Sequence, residues 1–397
     1  MRKVYLDHSA TTPIRKEVMD AMQPYFTELF GNASSVHSLG QRARKDLEEA
    51  RDGLASILGA HPKEVIFTSG GTESDNLAIK GVAFARQGRG KHIITSSIEH
   101  SAVLNCCGYL ERQGFEVTTL PVDRHGMVDP DSVREALKPE TVLVSIMLAN
   151  SEVGTIQPIR EIGAITKEEG IPLHTDAVQA VGKLPINVDD LNVDLLSISG
   201  HKIYGPKGIG ALYFRRGVPM VPLMYGGHHE LGYRPGTENV PAIMGLSKAI
   251  ALAEEEREDF SKRMYTLRTL LERGISINIE DVLFNGHPEK RLPNILNASF
   301  KYVDGESILL SLDMSGVSVS TGSACSENSD EVSHVLTAMG IAPDVARGSL
   351  RFSLGRLNTE EDISYVLEVL SEVVARLRET SPLYRRETGA SIHASRR

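Results

Sequence analysis

The chain is poor in cysteine: three occur among 397 residues, and none stands in a CxxC pair. That argues against a disulfide framework or a cysteine-rich zinc site, and it fits a reducing cytoplasm. Cys106 and Cys107 adjoin inside an apolar stretch and read as buried structural thiols. Long apolar runs are also missing. None reaches membrane-spanning length, and the start, Met-Arg-Lys-Val-Tyr-Leu-Asp, has no signal-peptide core, so no membrane partner is expected. Positive charge is not in excess. With 43 basic against 52 acidic residues the net charge is −9, which argues against nonspecific nucleic-acid or anionic-membrane binding over the whole surface. There is no internal repeat, no GxGxxG fingerprint after a strand and no P-loop, so a nucleotide-binding oxidoreductase is poorly supported.

What is present is an ordinary globular composition, 41% hydrophobic and 24% charged, on a chain long enough for two domains. Strand-like and helix-like segments alternate, the mark of an α/β core with a mainly parallel sheet. Residues 64–69, 92–96, 142–148, 171–175, 194–199 and 210–214 read as buried strands. Residues 73–86 and a stretch from about Ser101 read as helices. Residues 249–271 read as one long charged amphipathic helix bridging two domains. Short strands are expected around 294–300 and 317–320, and a last helix over about 360–378, with apolar residues at helical spacing. Residues 381–397 carry four arginines against one glutamate and read as a mobile tail.

Four features on separate segments suit one cofactor. Lys202, in SISGHKIYGPKG, stands between an apolar strand and a Gly/Pro-rich loop, where desolvation favours the neutral amine that a Schiff base needs. TSGGTES, residues 68–74, joins a strand to a helix and offers small residues, free N–H groups and a helix dipole to an anion. Asp176, in HTDAVQ, ends an apolar run and suits a pyridinium nitrogen; Gln179 can reach the ring's phenolic oxygen. The alternative for Asp176 is a helix N-cap. His174 and Asp176 share a His-x-Asp spacing, but no further ligand cluster supports a metal. Cys325, in the small polar loop STGSACSENS, is either a nucleophile or an incidental thiol. Strand ends converge on one edge of such a sheet, so phosphate cradle, ring acid and lysine would meet there. Together they describe pyridoxal 5′-phosphate (PLP). His100 follows another strand and suits ring stacking and acid/base work, or is a plain N-cap histidine. Arg351 suits an amino-acid carboxylate; Arg356 competes with it, and a surface ion pair is the alternative for both.

The motifs TSGGTESDNLAIKG, Glu99-His100, HTDAVQAVGK, SGHKIYGPKGIGALY, RPGTENV, TGSACS and RFSLGR resemble those of cysteine desulfurases of the NifS/IscS group, over nearly the whole chain. That group lies within the fold-type I PLP-dependent enzymes. The resemblance implies an α/β fold: a large domain, 15–261, with a mainly parallel seven-stranded sheet, and a smaller α+β domain from 1–14 and 262–380. It implies Lys202 as the cofactor's lysine and His100 as the stacked acid/base. Asp176 would face the ring nitrogen and Gln179 the ring oxygen. Gly71, Thr72, Ser199 and His201 would hold the phosphate. Thr237 would reach the partner subunit's phosphate, which implies a homodimer. Asn150, with the cofactor, and Arg351 would hold L-cysteine, with Asn32 nearby. Cys325 would carry the persulfide and pass its sulfur to an acceptor such as an IscU-type iron–sulfur scaffold. Cys325 would ligate metal only in a cluster shared with that partner. Selenocysteine lyase is the neighbouring activity, and a catalytically weak scaffold the alternative of another class. His8, His228, Leu231 and Pro235 depart from the group's pattern; the last three lie just before Thr237.

Overall fold

A computed structural model describes residues 2–321, 332–382 and 384–385. Among them are twelve strands: β1 (Val4–Tyr5), β2 (Val65–Thr68), β3 (His92–Ser96), β4 (Glu116–Leu120), β5 (Thr141–Ser145), β6 (Leu173–Asp176), β7 (Leu195–Ser199), β8 (Gly210–Phe214), β9 (Val282–Asn285), β10 (Ile295–Phe300), β11 (Val317–Ser318) and β12 (Ser349–Ser353). Seven of them form one sheet in the order β2-β8-β7-β6-β5-β3-β4. Only β8 runs against the others, pairing antiparallel with both β2 and β7.

The strands form where the sequence offers apolar runs that can be buried on both faces. Alternate residues enter opposite cores. Val65, Phe67, Ala211 and Tyr213 pack on one face, with the helices Ser38–Leu58 and Val240–Glu255. Ile66, Leu212 and Phe214 pack on the other, with Gly71–Arg86 and Ser101–Arg112. Cys106 and Cys107 lie in that second layer, and burial pushes the Cys106 thiol up to about 12. They are buried, inert thiols.

A second core is built on the antiparallel sheet β12-β10-β9, covered by the helices Arg257–Asn278, Gly305–Met314 and Glu360–Thr380. The chain start joins this core: β1 pairs in parallel with β11, and Val4 and Leu6 are buried there. The single helix expected over 249–271 is broken. One helix ends at Glu255 and the next begins at Arg257. Glu256 between them has φ −91° and ψ −1°, and its carboxylate bonds Arg15 at 2.8 Å and lies 3.5 Å from Arg356. Six consecutive charged residues, 254–259, interrupt the apolar spacing at this point. No helix among the described residues is long and apolar enough to cross a membrane.

Candidate active site

The C-terminal ends of the parallel strands meet at one sheet edge, the usual ligand edge of such folds. β2 leads to Ser69, Gly70 and Gly71, and β3 to the turn ending at His100. β5 leads to Asn150. β6 ends on Asp176, and β7 ends on Ser199 just before the 3-10 turn Gly200–Lys202.

Lys202 Nζ donates to the carbonyl oxygens of Ser9 at 2.5 Å and Ala10 at 2.8 Å. The Ser9 carbonyl also accepts from Gln179 Nε2 at 3.0 Å. The chain start thus gathers lysine and glutamine at one point. Behind them, buried Lys183 donates to the Gln179 carbonyl at 2.8 Å. Desolvation, then Lys202, pushes Lys183 from 10.5 down to about 7.

Asp176 is buried, and burial raises its carboxyl above the ordinary range; His100, the Val178 N–H and Lys202 oppose that shift. Its Oδ1 accepts from Val178 N at 2.8 Å, the cap-like bond foreseen as an alternative. His100 is likewise an N-cap. Its Nδ1 accepts from Ala102 N at 3.1 Å at the start of Ser101–Arg112, so in the neutral ring the proton sits on Nε2. Burial lowers the pKa of His100. Lys202 and His334 lower it further, and Asp176 opposes them. Capping therefore fixes the ring and leaves Nε2 for chemistry.

Gly71–Arg86 begins without a side-chain cap, and its N-cap Gly70 has φ 152°, a conformation that favours glycine. A Cβ on Gly71 would stand 2.8 Å from a Val178 methyl and 3.7 Å from Ser199 Cβ, so backbone, Ser199 and the Asp176 segment converge here. His201 Nδ1 lies 3.1 Å from Thr11 Oγ1; burial, then Lys202 and Lys207, push the ring down to about 4. It is a neutral hydrogen-bonding group at physiological pH. Thr72 follows Gly71 in the first helical turn.

PLP requires an amine, a partner for its ring nitrogen and donors for its phosphate. Lys202, Asp176 and the uncapped helix start supply all three at one edge. Gln179 Oε1 is buried with no hydrogen-bond partner among the described residues, so that amide has bonding capacity to spare there. The residues fit the group.

Other expected site residues are placed differently. Arg351 lies on β12, buried, with Nη2 2.8 Å from Asp7 Oδ1, Nη1 3.2 Å from the Ser151 carbonyl, and Nε without a partner among the described residues. The expected ion pair exists, but it is internal. Arg356 is half-exposed beside Glu256. The Asn150 amide is committed to protein: Nδ2 donates to the Ile98 carbonyl, and Oδ1 accepts from Glu152 and Val153 N–H groups. Asn32 is exposed in a turn, its Oδ1 bonded to Ser34 N. Thr237 is exposed, and no hydrogen bond joins it to Gly71, Thr72, Ser199 or His201 among the described residues. Cys325 lies outside the described residues.

His174 is a core histidine, bonded to the Ser145 and Ser197 hydroxyls and 3.6 Å from Asp75 Oδ1. No group of three or more His, Cys, Asp or Glu able to hold a metal occurs among the described residues. Of the three residues departing from the group's pattern before Thr237, Leu231 is exposed with φ 59°. Its neighbour Glu230 anchors the loop through Arg51, with two contacts of 2.8 Å, and through Phe67 N at 2.7 Å.

Sequence reasoning missed Lys183, Glu152 and the Asp7 carboxylate. Gln179 and Lys183 are one helical turn apart, the single sequence signal for their contact. The 344-residue separation of Asp7 and Arg351 leaves no local trace.

The aminotransferase class-V family model matches residues 4–366. A protein of Methanosarcina thermophila named cysteine desulfurase IscS is 56% identical over 386 residues, covering 97% of this chain and 95% of that one. A cysteine desulfurase IscS of Dictyoglomus turgidum is also 56% identical, covering 97% and 98%. A solved NifS-like protein superposes with a TM-score of 0.90 at 40% identity, over 95% of this chain and all of that one. A structure described as SspA in complex with cysteine gives 0.79 at 41% identity, over 89% and 99%. The chain belongs to the class-V aminotransferase family of PLP-dependent enzymes, in its NifS/IscS group of cysteine desulfurases.

Proposed function

We propose that this chain converts L-cysteine to L-alanine and takes the sulfur onto Cys325 as a persulfide. The observation that carries the reading is the convergence of Lys202, Asp176 and His100 at one sheet edge beside the uncapped helix start at Gly71. The similarity to proteins named cysteine desulfurase supports it.

When bound, PLP supplies an aldehyde for the substrate amine and a ring that accepts the electron pair from Cα. Lys202 would hold the cofactor, and its free Nζ would take the Cα proton. Asp176 retains the proton on the ring nitrogen by charge-assisted bonding in a buried setting. Gln179 meets the ring oxygen. Gly71, Thr72, Ser199 and His201 bind the phosphate, with Thr237 serving the cofactor of the second subunit. Arg351 takes the substrate carboxylate and Asp7 yields part of its hold. Asn150, its side chain committed to protein, acts by fixing the turn before His100. His100 Nε2 handles the thiol proton near neutral pH, its pKa kept low by burial. The Cys325 thiolate attacks the substrate sulfur: an S–S bond forms, the C–S bond breaks, and Cα and Cβ regain protons as alanine. L-Cysteine and enzyme thiol thereby become L-alanine and enzyme persulfide.

The physiological role we assign is cytoplasmic sulfur supply through that persulfide to an acceptor such as an IscU-type iron–sulfur scaffold. Lys202→Ala tests the reaction. It is expected to abolish alanine formation from L-cysteine, and retained turnover would overturn the assignment.

A further inference from the structure

Ten residues separate Thr321 from Val332, and Cys325 is among them. The chain that follows is fastened to the turn that carries His100. Ser333 Oγ donates to Glu152 Oε2 at 2.6 Å and caps the short helix His334–Ala338 by accepting from Leu336 N. His334 Nε2 lies 3.0 Å from the Glu99 carbonyl, which can only accept, so this nitrogen is the donor. Val335, Leu336 and Met339 pack in one apolar cluster with Ile98, Met147 and Val153. The same turn is held from the other side: Asn150 Nδ2 donates to the Ile98 carbonyl, and Glu99 Oε1 accepts from Ser96 Oγ and Met147 N. His100 comes immediately after Glu99, on the last residue of this braced turn.

We propose that Ser333 and His334 are positioning residues for desulfuration. They clamp the turn that ends at His100 and so hold the acid/base ring in place. The inference rests on the role given to His100 above. Glu152 is the buried fixed point of the clamp. Burial raises its carboxyl above the ordinary range, while Ser333, His334 and Arg351 oppose that shift. His334 also acts on His100 electrostatically: it and Lys202 lower the pKa of His100, while Asp176 raises it. A misplacement of about 1 Å is enough to cost up to about a hundredfold in rate.

The test compares His334→Phe, which loses the donor, with His334→Gln, which keeps an amide donor without the charge. Both are assayed as holoenzyme, beside wild type and Cys325→Ser. Alanine formation from L-cysteine in His334→Phe is expected to fall about tenfold or more in kcat. Its KM, its PLP affinity and its melting temperature stay near wild type. His334→Gln restores most of the rate near pH 8 and moves the acid limb of kcat/KM to higher pH, since the part of the lowering of the His100 pKa that comes from His334 is then lost while that from Lys202 stays. Wild-type kcat in His334→Phe, or equal loss in both variants, overturns the proposal while leaving the function intact. Should His334→Phe fail to fold, Ser333→Ala against Ser333→Thr makes the same comparison through Glu152, and equal rates in that pair overturn it. Absence of alanine from wild type itself would instead defeat the functional assignment.

Discussion

Lys183 shows how burial sets the chemistry of single residues here. Its ammonium has one hydrogen-bond acceptor, the Gln179 carbonyl, and the Lys202 charge nearby. The folded state therefore binds its proton with a pKa near 7 instead of 10.5. Between those values the unfolded chain holds more protons, so this group makes stability rise with pH from about 7 to 10.5 and is a fixed cost below 7. We predict that Lys183→Met makes the apoprotein more stable than wild type at pH 6.5, by roughly a few kcal/mol at most. That advantage should shrink toward pH 10. Urea midpoints at pH 6.5 and 9.5 check this; a difference independent of pH would contradict it. Lys202, Asp176 and His100 stood out in the sequence as candidates because each lies at or just past the end of an apolar strand. Lys183 did not, because nothing local says that a lysine one turn past Gln179 points into the protein. Arg351 was read as a candidate for a substrate carboxylate, while its pairing with Asp7 was not legible, since that contact is made only by folding residues 344 apart together.

At the scale of elements, the buried strands were readable because parallel strands covered on both faces leave unbroken apolar runs. β4, with the sequence EVTTL on the sheet edge, has an exposed and polar pattern and escaped notice. β9, with an exposed residue in its pattern, and β12, which pairs with β10 from fifty or more residues away, also escaped. At the helix break Glu256 bonds Arg15, a contact across 241 residues that periodicity does not show. The turn into Gly71–Arg86 was readable as an anion cradle, and its tightness is testable. A Cβ at Gly71 would come within 2.8 Å of the Val178 methyl beside Asp176, so helix start and ring-binding segment must separate to admit it. Gly71→Ala is predicted to weaken PLP binding about tenfold, with little change in urea midpoint of the apoprotein. Absorbance titration of apoprotein with PLP measures this; unchanged affinity would remove Gly71 from the phosphate site.

At the scale of the molecule, the chain start links the small core to the candidate site. The chain start joins the small core through Val4 and Leu6, then reaches Lys202 through Ser9 and Ala10. A further large-scale feature is apolar exposure around 26–39 and 224–231. Phe26 and Phe30 are 62% and 65% exposed, and Val36 and Tyr225 both 88%. Exposed apolar groups gathered in this way suit an interface, and Thr237 lies on the chain close to one of the two segments. A homodimer is predicted in solution, at a mass of about twice 43.3 kDa by light scattering. A monomer that binds PLP with full affinity would contradict the role given to Thr237.

The most direct test of the central claim is the alanine released from L-cysteine, without reductant, by wild type and by Cys325→Ser. The account predicts about one alanine per subunit from wild type, since one thiol accepts one sulfur, and none from the variant. Equal release from both would contradict Cys325 as the sulfur acceptor.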